Sequence, residues 1–386
     1  MTDSPPQATL GEKCASSSDV FIAGAGPAGL ACAIASAQLG LSVEMADGNS
    51  PPIDKACGEG LLPETVSLLT SLGIPPERLS PDASHPLLGI RFIGPPRSSG
   101  PGRRAEALFS SRAGLGLERK TLHQTLLERA CALGVRIHWK TVVSSMESPA
   151  GRAEVAIRTN RSLHRSRFLI GADGHASRIR SLSGLDSGRV SSRRFGLRQH
   201  FLMAPWSSLV EVYWSDRGEA YVTPVADNKI CVAFLAHQRF SSVHDALSHF
   251  PELRSRLCLA PPADSPRGAI SVARRLDRVR AGNVALLGDA SGSVDAITGQ
   301  GLSLAFRQAQ ALAEACRSGY LHGYQARHRA IMRMPALMSR SMLLMDRYPF
   351  VRNATIRSFA SVPALFYTLL EVHTEPEASL KSVAAS

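Results

Sequence analysis

The stretch DVFIAGAGPAGLACAIASAQLGLSVEMAD, residues 19–47, constrains this chain more than any other. An apolar run at 20–23 ends in the turn Gly24-Ala25-Gly26-Pro27-Ala28-Gly29. Small and apolar residues at helical density follow to Leu39, Gly40 stops the helix, and a second apolar run at 41–45 closes on Asp47. Strand, glycine turn, helix and strand make a βαβ unit. Gly24 permits the tight turn, Gly26 lets the backbone approach a pyrophosphate, and Gly29 lets the helix sit close on the strand; Pro27 and Ala28 complete the turn. The helix N-terminus offers unpaired N–H groups to phosphate charge. Asp47, 23 residues after Gly24, is placed to accept hydrogen bonds from a ribose. Glu44 competes for that role but falls inside the strand rather than at its end. Together these spacings predict a dinucleotide site.

With 386 residues, 44% of them hydrophobic, the chain has the length of two domains or of one large domain with an insertion. Its apolar runs, such as 20–23 and 284–287, are far shorter than the roughly 20 residues needed to cross a bilayer. The first twenty residues lack a basic head followed by an apolar stretch, so we expect a disordered leader over 1–18 and a cytoplasmic protein. Seven cysteines (Cys14, Cys32, Cys57, Cys131, Cys231, Cys258 and Cys316) stand singly, which fits free thiols and no metal site. The net charge is +12, and eight arginines between 317 and 357 face only Asp346. A solvated helix face is one reading; peripheral contact with an anionic membrane surface, or with an acidic carrier protein, is the other. No basic and aromatic interleaving accompanies the charge, which argues against nucleic acid.

Residues 80–104, rich in Pro, Gly and Ser, predict a hairpin with a flexible tip. Apolar spacing at 122, 126, 127, 130 and 133 predicts an amphipathic helix ended by Gly134. Alternating runs from about 190 to 275 predict an antiparallel sheet. Strand, long loop and helix return at 283–316, and helices interrupted by Pro335, Pro349 and Pro363 fill the remainder. The expected units are a discontinuous dinucleotide domain (19–79, 105–185, 276–330), a substrate sheet (80–104, 186–275) and a C-terminal helical region (331–386).

The glycine turn, GADGHASRIR at 171–180 and LLGDASGSVDAITGQGLSLAF at 286–306 resemble, in that order and over nearly the whole chain, the motifs of FAD-dependent oxidoreductases that include aromatic-ring hydroxylases and geranylgeranyl reductases. The resemblance implies an α/β fold: a Rossmann-type FAD-binding domain with an inserted antiparallel β-sheet substrate domain and a helical C-terminal region. It also implies that Asp173 supports the FAD pyrophosphate and the nicotinamide cofactor, and that Asp289 binds the ribityl chain or phosphate. Each acid ends an apolar strand, where ligands bind in open α/β sheets; a turn or N-cap residue is the alternative for both. Gly299, Gln300, Gly301 and Leu302 open a helix whose positive end would face the flavin's N1 and C2 carbonyl, and glycines at 299 and 301 let backbone come close to the ring. DKACGEGLLP, residues 54–63, resembles the segment that lines the flavin in geranylgeranyl reductases, at Lys55, Cys57, Gly58 and Gly60. Cys57 is then a catalytic candidate on the ring face or a small buried apolar residue. Arg119 matches an arginine near FAD, and Val143 joins the cofactor contacts.

The motifs divide over the reaction. Asp173 with Ser177 and Arg178, and Gln300 between its glycines, are usual in ring hydroxylases; the Lys-x-Cys-Gly loop and the segment GDASGSVDAITG point to reductases. Halogenation is disfavoured, because no Trp-x-Trp-x-Ile-Pro segment is present. The stretch 339–376 resembles the tail of bacterial flavoproteins associated with type III polyketide synthase pathways, where phenolic lipids are oxidised. We therefore expect an FAD-dependent monooxygenase that uses NADPH or NADH as transient reductant and O2 to hydroxylate an apolar aromatic or polyketide-derived substrate. His200 would aid phenol deprotonation, and Tyr213, Tyr221 and Thr223 would touch substrate. The alternative is a flavin-dependent reductase of isoprenoid or polyketide double bonds; a flavin-bearing sensor without turnover is the non-enzymatic one.

Overall fold

A computed structural model describes residues 14–79, 81–98, 100–110, 112–148 and 154–374. Strand β1 (Cys14–Ala23), helix α1 (Pro27–Gln38) and strand β2 (Val43–Asp47) realise the βαβ unit. β1 pairs in parallel with β2 on one side and with the strand Leu163–Gly171 on the other, and that strand pairs in parallel with Val284–Leu286. Gly24, Asp173 and Asp289 follow the carboxyl ends of three neighbouring parallel strands, so residues far apart in the chain meet at one sheet edge. The expected leader needs correction at 14–18. These residues belong to β1, with Ser16, Ser17 and Ser18 opposite His164, Arg165 and Ser166. Their run of three serines hid them, because a ladder is made by backbone groups. Residues 1–13 of that segment, and 375–386 of the expected C-terminal region, lie outside the described residues.

A second sheet runs, among the described residues, in the order Arg267–Leu276, Gly188–Leu202, Lys229–Ala236, Gly218–Ala226, Leu209–Trp214, Gly89–Ile93 and Arg104–Leu108. The hairpin Gly89–Ile93/Arg104–Leu108 forms as expected, but its second strand carries the sheet segment past residue 104 to Leu108. The first strand, Gly89–Ile93, docks in parallel on Leu209–Trp214, one parallel pairing in an otherwise antiparallel sheet. Side-chain alternation divides the faces. Tyr213, Ala220 and Val222 pack beneath the helices Val243–Ser248 and Pro251–Leu257, whereas Val212, Trp214 and Leu235 face Phe359, Phe366 and Leu370 of the C-terminal helices.

Those helices are His322–Arg347, Pro349–Ser361 and Pro363–Thr374. The first runs unbroken across the expected boundary at 330/331 and through Pro335, which does not interrupt it. An interior proline costs about 3 kcal/mol. Here it is buried in the helix face packed on the 296–298 turn, beside Ser339, whose Oγ accepts from the Asp295 N–H at 3.3 Å. Pro349 and Pro363 instead start helices, where a missing N–H costs nothing.

Arg194 joins the second sheet, the 286–306 loop and the first C-terminal helix. Its fully buried guanidinium reaches past the strand Lys229–Ala236 to bond Glu219 two strands away, and lies 3.5 Å from Asp295 of the loop and 3.6 Å from Asp346 of the helix. Three carboxylates hold it charged against the cost of burial, raising its pKa above the ordinary value. Removing the cation strands buried negative charge. We expect Arg194→Met to lower unfolding stability by about 3–5 kcal/mol, read from the urea midpoint, with the C-terminal helices becoming the first region to exchange amide protons.

Candidate active site

A cavity of about 1190 Å³ opens where the two sheets and the C-terminal helices meet. Its polar end is built from backbone. Gly24 (φ +108°) sits so close to the next strand that a Cβ would come within 2.4 Å of the Ala172 carbonyl oxygen, and a Cβ at Gly29 would come within 2.0 Å of the Gly24 carbonyl oxygen. Gly29 therefore does not line the cavity; it seats the helix that does. At Gly26, Gly58, Gly299 and Gly301, all cavity-lining, a Cβ would meet no protein atom within 4 Å. These four positions leave a trough with backbone walls and room for a flat or phosphorylated group. Helix α1 and the helix Gly301–Ser318 both begin at this trough, so two sets of free N–H groups and two positive dipole ends address it.

Asp47 lines the trough and is oriented there by the N–H groups of Ala25 and Asn49, each donating at 2.8 Å. Glu44, three residues earlier on the strand and so on the other face, is fully buried against Arg136 (2.5 Å), His138 and His164 (3.1 Å each), which removes it from a ribose role. Asp173 lines the cavity too, yet its oxygens accept from Ser177 Oγ (2.5 Å) and from the N–H groups of Arg178 (2.7 Å) and Ile179 (3.1 Å). It fastens the loop to the following helix. Asp289 faces Lys55 at 3.4 Å and His175 at 3.2 Å. Burial draws the His175 pKa below its ordinary value despite Asp289. Val143 and Leu302 also line the cavity.

Arg119 shows most directly that the trough fits an anionic or carbonyl-bearing group. Its Nη1 is buried without a hydrogen-bond partner, and burial pulls the guanidinium pKa down, against the pull of Cys57 and Asp289 beside it. A buried donor of this kind requires an acceptor. Phosphate or carbonyl oxygens of a dinucleotide in the trough would provide one.

The 54–63 loop is clamped to the second sheet from both ends. Asp54 accepts from Arg198 at 2.8 and 3.0 Å and pairs with Arg267 at 3.1 Å. Glu59, a non-glycine residue at φ +59°, buries its carboxylate between the Arg119 N–H (3.0 Å) and His200 Nε2 (2.5 Å). The strain of that conformation, of order 1–3 kcal/mol, is held by these contacts. His200 Nδ1 lies 2.9 Å from Asp264 and 2.8 Å from Arg198 Nη1. Burial opposes a charge on this ring, but Glu59 and Asp264 outweigh it and raise the pKa above 6.5. Cys57 lines the cavity, receives the Glu59 N–H at 3.4 Å, and has its thiol pKa raised by burial, with Arg119 opposing. His200, Cys231 and Thr223 are cross-strand neighbours in one row under this loop.

The structure thus brings Gly24, Gly26, Pro27, Ala28, Asp47, Lys55, Cys57, Gly58, Arg119, Asp289, Tyr221 and Thr223 to one cavity and corrects three placements. His200 stands one layer back, behind Glu59. Tyr213, odd where Val210 and Val212 are even, points to the opposite face and donates to Glu211 at 2.7 Å. Gln300 turns from the cavity and donates to the His373 carbonyl at 2.6 Å. Burial pushes His373 down to about 4, so its neutral ring donates from Nε2 to the Thr298 carbonyl at 2.9 Å. The last helix is thereby fastened to the flavin-motif loop. Sequence reasoning missed Glu59, Asp264 and the apolar end of the cavity, which Met334, Met338, Met342 and Met345 line with Phe359 and Phe366. The methionine spacing of 4, 4 and 3 was a readable helical stripe. Glu59–His200–Cys231 and Glu44–His138–His164 each gather metal-capable donors within 4.8 Å, but Arg198 and Arg136 stand at hydrogen-bond distance and oppose a further cation.

A Rossmann-type trough, two helix N-termini and an unpaired buried arginine define a dinucleotide-dependent enzyme with an attached apolar chamber. The FAD binding domain model matches residues 17–323, and the chain belongs to that family of FAD-dependent oxidoreductases. It is 26% identical over 295 residues to digeranylgeranylglycerophospholipid reductase 1 of Methanothermobacter thermautotrophicus, covering 74% of this chain and 73% of that protein. It is 24% identical over 325 residues to the menaquinone reductase of Mycolicibacterium smegmatis, covering 80% and 78%. The crystal structure of CmlS, a flavin-dependent halogenase, shares the fold with a TM-score of 0.75 at 20% identity, covering 87% of this chain and 67% of that one.

A side chain at Gly26 would collide with no protein atom. We expect Gly26→Val to keep the wild-type melting temperature without cofactor, yet to weaken FAD binding at least about 100-fold, measured by flavin fluorescence titration.

Proposed function

We propose that this protein is an FAD-dependent reductase of isoprenoid-type carbon–carbon double bonds in a lipid-like substrate, with NADPH or NADH as reductant. The observation that carries the reading is a protonated acid system set against an apolar chamber. Bound in the trough and reduced, FAD would supply hydride to one carbon of the double bond. The protein's share is then the proton for the other carbon. Burial keeps the Cys57 thiol protonated, and it faces the cavity. Behind it, Asp264, partly exposed at 23% of its side chain, leads through His200 to the buried Glu59 carboxylate in contacts of 2.9 and 2.5 Å. Cys57 would donate its proton to carbon; the thiolate left behind, which the Glu59 N–H faces, would then be reprotonated from solvent, with the Asp264–His200–Glu59 series as the neighbouring proton store. Methionines and phenylalanines at the far end exclude water and suit a long apolar tail, since methionine adapts to irregular shapes. The family relatives described above include reductases of isoprenoid lipids, which supports the reading.

A second reading, hydroxylation of a phenolic lipid with O2, is favoured by the hydroxylase-type segment around Asp173 and by a chamber that would accept such a substrate equally well. The two differ in their need for oxygen. Anaerobic NADPH reduction followed by a geranylgeranyl lipid should give a saturated product with reoxidised flavin under the first reading. Turnover only after oxygen is admitted, with an oxygenated product, would replace it by the second.

Under the first reading Glu59→Gln and Cys57→Ala should each lower anaerobic saturation by at least about tenfold while FAD content and reduction by NADPH stay unchanged. Because Glu59 and Asp264 raise the His200 pKa above its ordinary value, its proton is held below that raised value and lost as pH rises through it. Turnover should therefore fall on the alkaline side, and Glu59→Gln, which removes the first of the groups raising that pKa, should move the limb to lower pH.

A further inference from the structure

Around its mouth the cavity has an unusual surface. Leu337 and Leu344 are 57% and 51% exposed and Leu369 is 38% exposed, yet all three line the cavity. They form a rim with one side in solvent. Phe350, 73% exposed, and Tyr348 stand at the turn joining the first two C-terminal helices; Val362 and Leu365 stand, also exposed, at the next. Large apolar side chains gathered in this way on one substructure mark an interaction surface.

Charge singles out the same helices. Of the eight arginines between 317 and 357, four are held by oxygen acceptors: Arg317 donates to the Leu39 carbonyl, Arg327 bonds Glu314, Arg329 donates to the Asp277 carbonyl, and Arg352 is buried on Asp216; Arg347 lies over the ring of Tyr348. Arg333, Arg340, Arg347 and Arg357 are exposed, and among the described residues no carboxylate pairs with them. At 3.6 residues per turn, positions 333, 337, 340, 344 and 347 fall on one stripe of the helix His322–Arg347. Three arginines that no described carboxylate neutralises therefore alternate with two rim leucines. None of the described helices is long and apolar enough to cross a membrane, so this face can lie on a bilayer but not span it.

We propose that this rim is a docking surface for an anionic phospholipid bilayer, and that the apolar substrate passes from the bilayer into the cavity between Leu337, Leu344 and Leu369 without crossing water. Arginines at headgroup depth beside apolar and aromatic side chains suit that surface. A second copy of the chain would set the same arginines against their like. The proposal rests on the cavity as the substrate chamber, whichever reaction occurs in it.

The test is co-sedimentation of the full, FAD-loaded chain with vesicles of phosphatidylcholine alone or mixed with phosphatidylglycerol, with light scattering of the free protein. Binding should require the anionic lipid and weaken with salt. Arg340→Ser with Arg347→Ser should weaken it about 25-fold, at roughly fivefold per arginine. Phe350→Ser should weaken it as well. Flavin content and NADPH oxidation, measured on the same variants, should remain as in the parent chain, which separates lost docking from lost folding or a different reaction. Equal partition onto neutral and anionic vesicles, no partition onto either, or a dimer that Phe350→Ser dissociates would overturn the proposal.

Discussion

One buried guanidinium keeps the parts of this molecule in register. Arg194 is held by Glu219 within its sheet, by Asp295 in the loop after the third parallel strand, and by Asp346 in the helix that closes the chamber. A charge buried this completely tolerates few geometries, because each displaced carboxylate leaves desolvated charge behind. The hydrophobic contacts of Trp214, Phe359 and Phe366 supply most of the attraction between sheet and helices, but they are non-directional. The ion cluster supplies direction.

The cavity formed by this arrangement has two chemically distinct ends. At the trough, side chains are absent and backbone is presented, which is how a protein brings its own N–H groups against a large charged cofactor. At the chamber, flexible apolar side chains are presented and backbone is hidden inside helices. The 54–63 loop stands between the two and carries the titratable groups, so a proton held there is close both to the cofactor trough and to an apolar guest. Its position is enforced by Arg198 on Asp54 and by His200 on Glu59, both from the same strand of the second sheet. The parallel and antiparallel sheets are thus coupled through the loop that carries Cys57 and Glu59.

Coupling also comes from the far end of the described chain. Gln300, which family resemblance placed at the ring, instead holds the carbonyl of His373, while His373 holds that of Thr298. The left-handed glycine at 299 sits between these two bonds. Closure of the chamber and the shape of the trough are therefore parts of one arrangement.

Much of this was legible in the sequence alone. The spacing from Gly24 to Gly29 and on to Asp47 determined the βαβ unit, because close approach of a helix to a strand admits no side chain at those glycines. Period-two alternation determined the second sheet, and the ordered triad of motifs determined the family and its cofactor. The tertiary structure alone decided what each polar group does. Asp173 caps a helix, Glu44 is buried, Tyr213 faces away and His200 stands behind Glu59, because such placements depend on the direction each side chain takes and on neighbours up to 141 residues distant along the chain. The C-terminal helices showed the same division. Their apolar and basic pattern was plain in the sequence, but whether it faced core, cavity or solvent was decided by packing, since a helix stripe records only that a partner exists and not which one.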